Sequence, residues 1–187
     1  MRLVALTDIF GYTESFENLI SVLSPKFTEI ERVAPYGGEK HCFENERQAY
    51  EKFSTEVGME SYTERLLSLL EGTEKTPQLL LGFSVGASAI WSASAALSDF
   101  KKTRAVGFYS SQIINMMMVE PKIRMNLYFA VNEPKYQIDE VINRLELKRN
   151  INCFKTGYKH GFMNNESENF SRVGFEKYLK ILNNLNF

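Results

Sequence analysis

Short runs of β character alternate with helical periodicity almost from end to end of the chain, and this alternation limits the available folds more than any other feature. The runs are LVAL (3–6), FTEIERV (27–33), QLLL (78–81), RAVGFY (104–109), MNLYFAV (125–131) and INCFKT (151–156). Between the first two, Phe16, Leu19, Ile20 and Leu23 recur at the spacing of one apolar helix face. Helical stretches are expected over 45–53 and over 59–71, the second carrying Tyr62, Leu66, Leu69 and Leu70. A helix should start near Val85, another carries Ile138, Val141, Ile142 and Leu145, and a terminal one carries Phe175, Tyr178, Leu179 and Leu182. QLLL is apolar without alternation, as in a strand covered on both faces, whereas FTEIERV alternates like an exposed edge. Six strands with helices between them predict an α/β fold, a mostly parallel sheet with helices on both faces and right-handed crossovers. The 187 residues suit one domain spanning 1–187. A core of that size needs no metal or disulfide to hold it.

Charge and cysteine usage remove several function classes. The net charge is -1 and the basic residues are scattered, so the positive stripe that nucleic acid requires is absent and no nucleic-acid partner is expected. Cys42 and Cys153 lie far apart outside any ligand cluster, which predicts neither a disulfide framework nor a metal site. Cys153, in INCF, reads as a small core residue, and Cys42 falls beside His41 in the turn-rich loop 34–44. The opening MRLVALTDIF has too short an apolar segment for a signal peptide, and no run approaches the ~18 residues of a membrane span. A cytoplasmic protein without a membrane partner is the expectation. Met116 to Met118 read as filler under a loop.

In a parallel sheet the working residues gather at the carboxyl ends of the strands. At one of these ends the chain reads GFSVG (82–86). A Ser between two glycines, after a strand and before a helix, suits a tight turn that presents a nucleophile, with Gly82 and Gly86 giving room. The plainer reading is a small-residue turn that lets helix and sheet pack closely. A nucleophilic Ser84 needs a base, and the chain has two histidines. His160 follows the last strand in KTGYKHGF, whereas His41 precedes the Ser84 strand and reads as a surface residue. The chain order Ser, acid, His then puts the acid after MNLYFAV, where Glu133 stands at the strand end and Asp139 is the fallback. Oxyanion donors are expected from the Val85 N–H, beside the Ser, and from the Ile9 N–H in the ALTDIFGYTES loop. Phe10, Tyr12, Phe83 and Tyr109 adjoin these residues and read either as the lining of a pocket for an apolar or aryl acyl group, or as core.

Four stretches, TDIFG (7–11), GFSVG (82–86), AVNEP (130–134) and YKHGF (158–162) continuing as HGFMNNES, together resemble the dienelactone hydrolase family of α/β-hydrolases. GFYSS (107–111) is also similar to the family's sixth strand. The resemblance implies an α/β-hydrolase fold and a site for ester hydrolysis or a related acyl transfer. Ser84 would be the nucleophile, His160 the base, Glu133 the acid, and Ile9 and Val85 the oxyanion hole of a Ser-His-Glu triad. Asp8 matches an acidic position that lies against the nucleophile, which counts it among the substrate-binding residues. The chain departs from the pattern in having Ser where the founding members have Cys, and Glu where Asp is usual. It begins at what would be the family's third strand, which leaves an exposed sheet edge open to pairing in a homodimer. The arginines that bind a substrate carboxylate have no counterpart, so a dienelactone is not the expected substrate. Hydrolysis of a small carboxylic ester or lactone through an acyl-enzyme on Ser84, without a cofactor or metal, is the function expected. A thioesterase or acyltransferase with the same triad, and a non-catalytic binding protein retaining the fold, stay open as alternatives. The least readable segment is 110–124, where this fold often inserts a lid.

Overall fold

The apolar run after Met1 forms β1 (Arg2–Leu6), buried at every residue, and the sheet extends to either side of it. The computed structural model of the chain describes residues 1–72, 76–134 and 136–185. On one side of β1 lies β2 (Glu29–Val33). On the other lie β3 (Leu79–Phe83), β4 (Arg104–Phe108), β5 (Arg124–Phe129) and β6 (Ile151–Lys155). The order is β2-β1-β3-β4-β5-β6, and each of these pairings is parallel. The expected parallel α/β sheet is therefore present, with β2 at an edge as its alternation predicted. QLLL contributes to the fully buried β3, with helices covering it.

The helices cover both faces. On one, α1 (Glu14–Leu23) packs against α6 (Arg172–Asn183); on the other, α3 (Gly58–Glu71) packs against α4 (Val85–Ala93). The Thr13 side chain caps α1 by accepting the Phe16 N–H, and Glu14 and Glu17 favour the positive end of its dipole. Asn45 caps α2 (Glu46–Glu56) in the same way by accepting from Gln48 N–H. α5 (Ile138–Leu145) joins β5 to β6. Nearly all of α4 is buried, Ser92 being the exception. A helix buried all round needs small residues to fit, and Gly86, Ala87 and Ala89 supply them.

Several boundaries differ from the sequence expectations for local reasons. The strand expected over 27–33 starts only at Glu29, because Ser24–Lys26 forms a 3-10 turn that engages Phe27 N–H on Ser24 O at 3.1 Å. The run 125–131 leaves the sheet after Phe129, and Val131 N–H turns to Tyr158 O at 2.7 Å. Within 110–124 a 3-10 turn spans Ile113–Met116, held by the Trp91 indole N–H on Met116 O at 2.9 Å. Met117 is buried beneath it, whereas Met118 is 90% exposed. Cys42 is exposed, and Cys153 is partly buried. Among the described residues no helix is long and apolar enough to cross a membrane.

Candidate active site

β3 runs into α4 through a single residue, Ser84, with φ 50 and ψ -113. A non-glycine backbone held there costs about 1–3 kcal/mol and persists only where its surroundings over-determine it. Those surroundings are visible. Ser84 N–H donates to Phe108 O at 2.9 Å, and Ser84 O accepts both the N–H and the hydroxyl of Ser88 at 3.0 Å. The Ser88 hydroxyl also bonds Ser110 Oγ at 2.9 Å, beneath the turn. The flanking glycines are required by contact. A Cβ on Gly82 would lie 2.6 Å from Ala87 N, and one on Gly86 would run into Thr7 O and Leu6. The plainer reading of the small residues, close packing of helix on sheet, is thus also true of this turn.

His160 stands in the loop after β6, with Nε2 2.9 Å from Ser84 Oγ. Its Nδ1 lies 2.7 Å from Glu133 Oε1. A carboxylate oxygen only accepts, so Nδ1 carries the hydrogen and the Nε2 lone pair faces the Ser84 hydroxyl. Glu133 sits in the turn after β5, bridged to Tyr136, and its side chain is 7% exposed against 21% for His160. Burial pulls the His160 pKa down, but the Glu133 hydrogen bond and the charges of Glu133, Glu46 and Asp8 outweigh it and hold the ring above the usual imidazole value. Asp139 is engaged elsewhere, with its carboxylate 2.7 Å from Lys155 Nζ. His41 packs edge-on against Tyr36, with ring centroids 4.7 Å apart.

The register Leu6↔Gly82 sets the β1 loop beside the Ser84 turn, with Asp8 and Ser84 each two residues beyond the pair. This loop is held from several sides. Tyr62 Oη donates to Thr7 O at 3.0 Å, Tyr36 Oη donates to Ile9 O at 2.8 Å, and Gly11 N–H donates to Asp8 O at 3.2 Å. Among the described residues neither the Ile9 nor the Val85 N–H has an acceptor within the chain. The Asp8 side chain is buried and accepts Phe10 N–H at 3.0 Å and Asn164 Nδ2–H at 2.7 Å. Burial pushes its carboxyl up to about 6, against the opposing pull of Asn164, Phe10 and His160.

The aromatic residues divide. Phe10, Phe83 and Tyr109 are buried at 6%, 5% and 1% exposure, and Tyr12 is half-buried with its hydroxyl on Arg32 O. Phe83 stacks on Phe108. Tyr109, at φ 39, lays its ring 5.0 Å from that of His160. Asp8, Phe83 and Tyr109 border a small recess of about 10 Å³, the size of a single water. The open cleft against His160 and Glu133 is about 480 Å³ and is bordered by Glu46, Tyr50, Gln112, Tyr136 and Glu168. Sequence reading singled out none of these five, because they come from four separate segments, Glu46 and Tyr50 sharing α2, and none lies in a motif. Asn164 was equally inconspicuous, inside the NNES continuation of the His160 loop. Chemically, a hydroxyl facing a neutral imidazole that a carboxylate orients, with unengaged amides on the adjoining turns, is an arrangement able to attack a carbonyl carbon.

No family model matches the chain. Its sequence is 26% identical over 148 residues to YczH, an uncharacterised protein of Bacillus subtilis, covering 78% of this chain and 72% of that one. Among solved structures, one from Klebsiella pneumoniae, whose assignment as a dienelactone hydrolase is itself provisional, superposes with a TM-score of 0.72 at 14% identity, over 97% of this chain and 84% of that one. A dienelactone hydrolase-like promiscuous phosphotriesterase from metagenomic libraries gives 0.63 at 9% identity, over 97% and 84%. Est1E from Butyrivibrio proteoclasticus gives 0.63 at 9% identity, over 97% and 85%. At such identities the likeness is one of architecture, and the chain has the α/β-hydrolase fold seen in dienelactone hydrolase-like structures.

Proposed function

We propose that the chain is a serine hydrolase that cleaves small carboxylic esters through an acyl-enzyme on Ser84. The observation that carries this reading is the continuous hydrogen-bonded chain from Ser84 Oγ to His160 Nε2 at 2.9 Å and from His160 Nδ1 to Glu133 at 2.7 Å. His160 takes the Ser84 proton as Oγ attacks the ester carbonyl, and the Ile9 and Val85 N–H groups stabilise the oxyanion. His160 then protonates the leaving alkoxide, activates a water, and the acyl-enzyme is hydrolysed. Glu133 keeps the ring in the productive tautomer and stabilises the imidazolium. The hydrolase names of two of the structures that share the fold favour the same class of reaction. The test treats wild type and Ser84→Ala with a fluorophosphonate, maps any adduct by mass spectrometry, and follows p-nitrophenyl acetate hydrolysis. The expected result is a single adduct on Ser84 and turnover that disappears in the variant. Equal turnover by the two proteins, with no adduct, would sink the proposal.

A further inference from the structure

The β1–α1 loop, together with the first turn of α1, and the loop after β6 are hydrogen-bonded to one another through residues about 150 positions apart in the sequence. Ser15 N–H donates to Asn165 Oδ1 at 2.9 Å, and Asn165 N–H returns to Ser15 Oγ at 3.1 Å. Beside this exchange Asn164 Nδ2 donates to Asp8 Oδ2 at 2.7 Å. The orientation of the Asn164 amide is set by its other end, since Oδ1 accepts Glu166 N–H at 3.0 Å. Its amino group therefore has to face Asp8. The second Asp8 oxygen accepts Phe10 N–H at 3.0 Å, so both carboxylate oxygens receive donors, one from each loop. Asp8 is 5% exposed and Asn164 4% exposed, which leaves water little access to replace either bond.

We propose that Asp8 and Asn164 form a clasp that positions the Ile9 N–H relative to His160, Asp8 being a positioning residue of the Ser84 site; this rests on the serine hydrolase reading above. The peptide unit that carries the Ile9 N–H carries Asp8 O at its other end, and a planar peptide aims one group by fixing the other. Asp8 O accepts Gly11 N–H at 3.2 Å and the Thr7 hydroxyl at 3.1 Å. The next peptide unit is fixed by Tyr36 Oη on Ile9 O and by the Asp8 carboxylate on Phe10 N–H. Asn164 lies four residues past His160, so the bond to Asp8 sets the two loops in one frame. Oxyanion donors act only within a few tenths of an ångström of the correct position, which makes such a frame matter to the rate.

The arrangement can be inverted, and this supplies the test. Asp8→Asn sets two amino groups face to face, and Asn164→Asp sets two carboxylates face to face. The exchange Asp8→Asn/Asn164→Asp restores every bond, because the amide at 8 still accepts Phe10 N–H and donates to a carboxylate at 164 that still accepts Glu166 N–H. Each single variant is expected to lower kcat for p-nitrophenyl acetate by roughly 10- to 100-fold with KM nearly unchanged, less than outright loss of an oxyanion donor. The exchange is expected to return kcat to within about threefold of wild type, a coupling that a double-mutant cycle isolates. Single variants with wild-type kcat, or an exchange no better than the worse single, overturn the proposal. Should a single variant not fold, the exchange variant decides, folded and active supporting the clasp, and inactive or unfolded overturning it. Should wild type itself show neither turnover nor adduct, the Ser84 reading has failed separately. Hydrogen exchange of segments 7–11 and 164–167 then reads the clasp, with faster exchange in the singles and recovery in the exchange variant supporting it and no change overturning it.

Discussion

The side chain that most influences His160 is Glu133, through a 2.7 Å bond to Nδ1 and through its charge, which together keep the ring protonated to higher pH than burial alone would allow. Removing that charge while keeping the shape separates orientation from electrostatics. Glu133→Gln is expected to lower kcat/KM for p-nitrophenyl acetate by ~10²–10⁴, because an amide tolerates the wrong tautomer and stabilises no imidazolium. The acid limb of the pH profile should move to lower pH, since the first opposing influence on His160 is then burial, which favours the neutral ring. An acid limb that stays in place would assign it to another group. Asp139→Asn in the same assay is expected to leave kcat/KM unchanged, because that carboxylate is bonded to Lys155. Ser84, His160 and Glu133 could be picked out as candidates because Ser84 lies between two glycines after a strand, His160 is one of two histidines, and Glu133 follows β5 in the chain order Ser, acid, His. Asp8 was legible only as a residue, and its partner was not. Asn164 is 156 positions away and is of a type common in loops, so nothing local marks it as a partner.

At the scale of elements, the turn and α4 are one device. Gly86 sits in the first turn of α4 with Thr7 O directly against the position a Cβ would take. Alanine in a helix gains about 1 kcal/mol over glycine from propensity. Pushing a methyl into a backbone carbonyl and Leu6 costs more, about 1–3 kcal/mol in a well-packed core and towards the upper end where backbone must move. Gly86→Ala is therefore expected to destabilise the protein by ~1–2 kcal/mol on urea unfolding and to lower fluorophosphonate labelling. Gly157→Ala, where nothing lies within 4 Å, should change stability by less than ~0.5 kcal/mol. Equal effects in the two variants would mean that close approach is not what the glycine provides. The element order was readable because apolar period and length separate strands from helices here. The ends were not: β2 lost Phe27 to a 3-10 turn, and β5 gave up its last residues when Val131 bonded to the His160 loop. The first change comes from a local turn bond three residues long, and the second from a bond between segments 27 positions apart that no short window of sequence contains.

For the whole molecule the same Asp8 that ties two loops together is a cost to stability at neutral pH. Its carboxyl is pushed from 3.8 to about 6, burial being the main cause and Glu46 adding to it, while Asn164, Phe10 and His160 pull the other way. A folded pKa above the unfolded one means that the ionised form is disfavoured by the fold. Stability from this group is fully present below about pH 4 and is lost as pH rises through 6. At about 1.4 kcal/mol per unit the shift amounts to ~3 kcal/mol in all, of which ~2 kcal/mol falls between pH 4.5 and 8. Asp8→Asn abolishes this titration but leaves an amide facing the Asn164 amide, a loss of ~1–3 kcal/mol at any pH. Unfolded in urea at pH 4.5, 6 and 8, the variant is expected to be the less stable protein in acid. It should gain on wild type by about 2 kcal/mol as the pH rises, drawing level near pH 8. His160 also has a raised pKa and so loses stability over the same rise, but it is present in both proteins and leaves the difference except through its coupling to Asp8. A difference constant with pH would show that Asp8 does not ionise in this range. A difference that narrows, in a variant whose kcat has fallen, would mean that the fold retains a destabilising buried charge because the site needs two acceptors at that position.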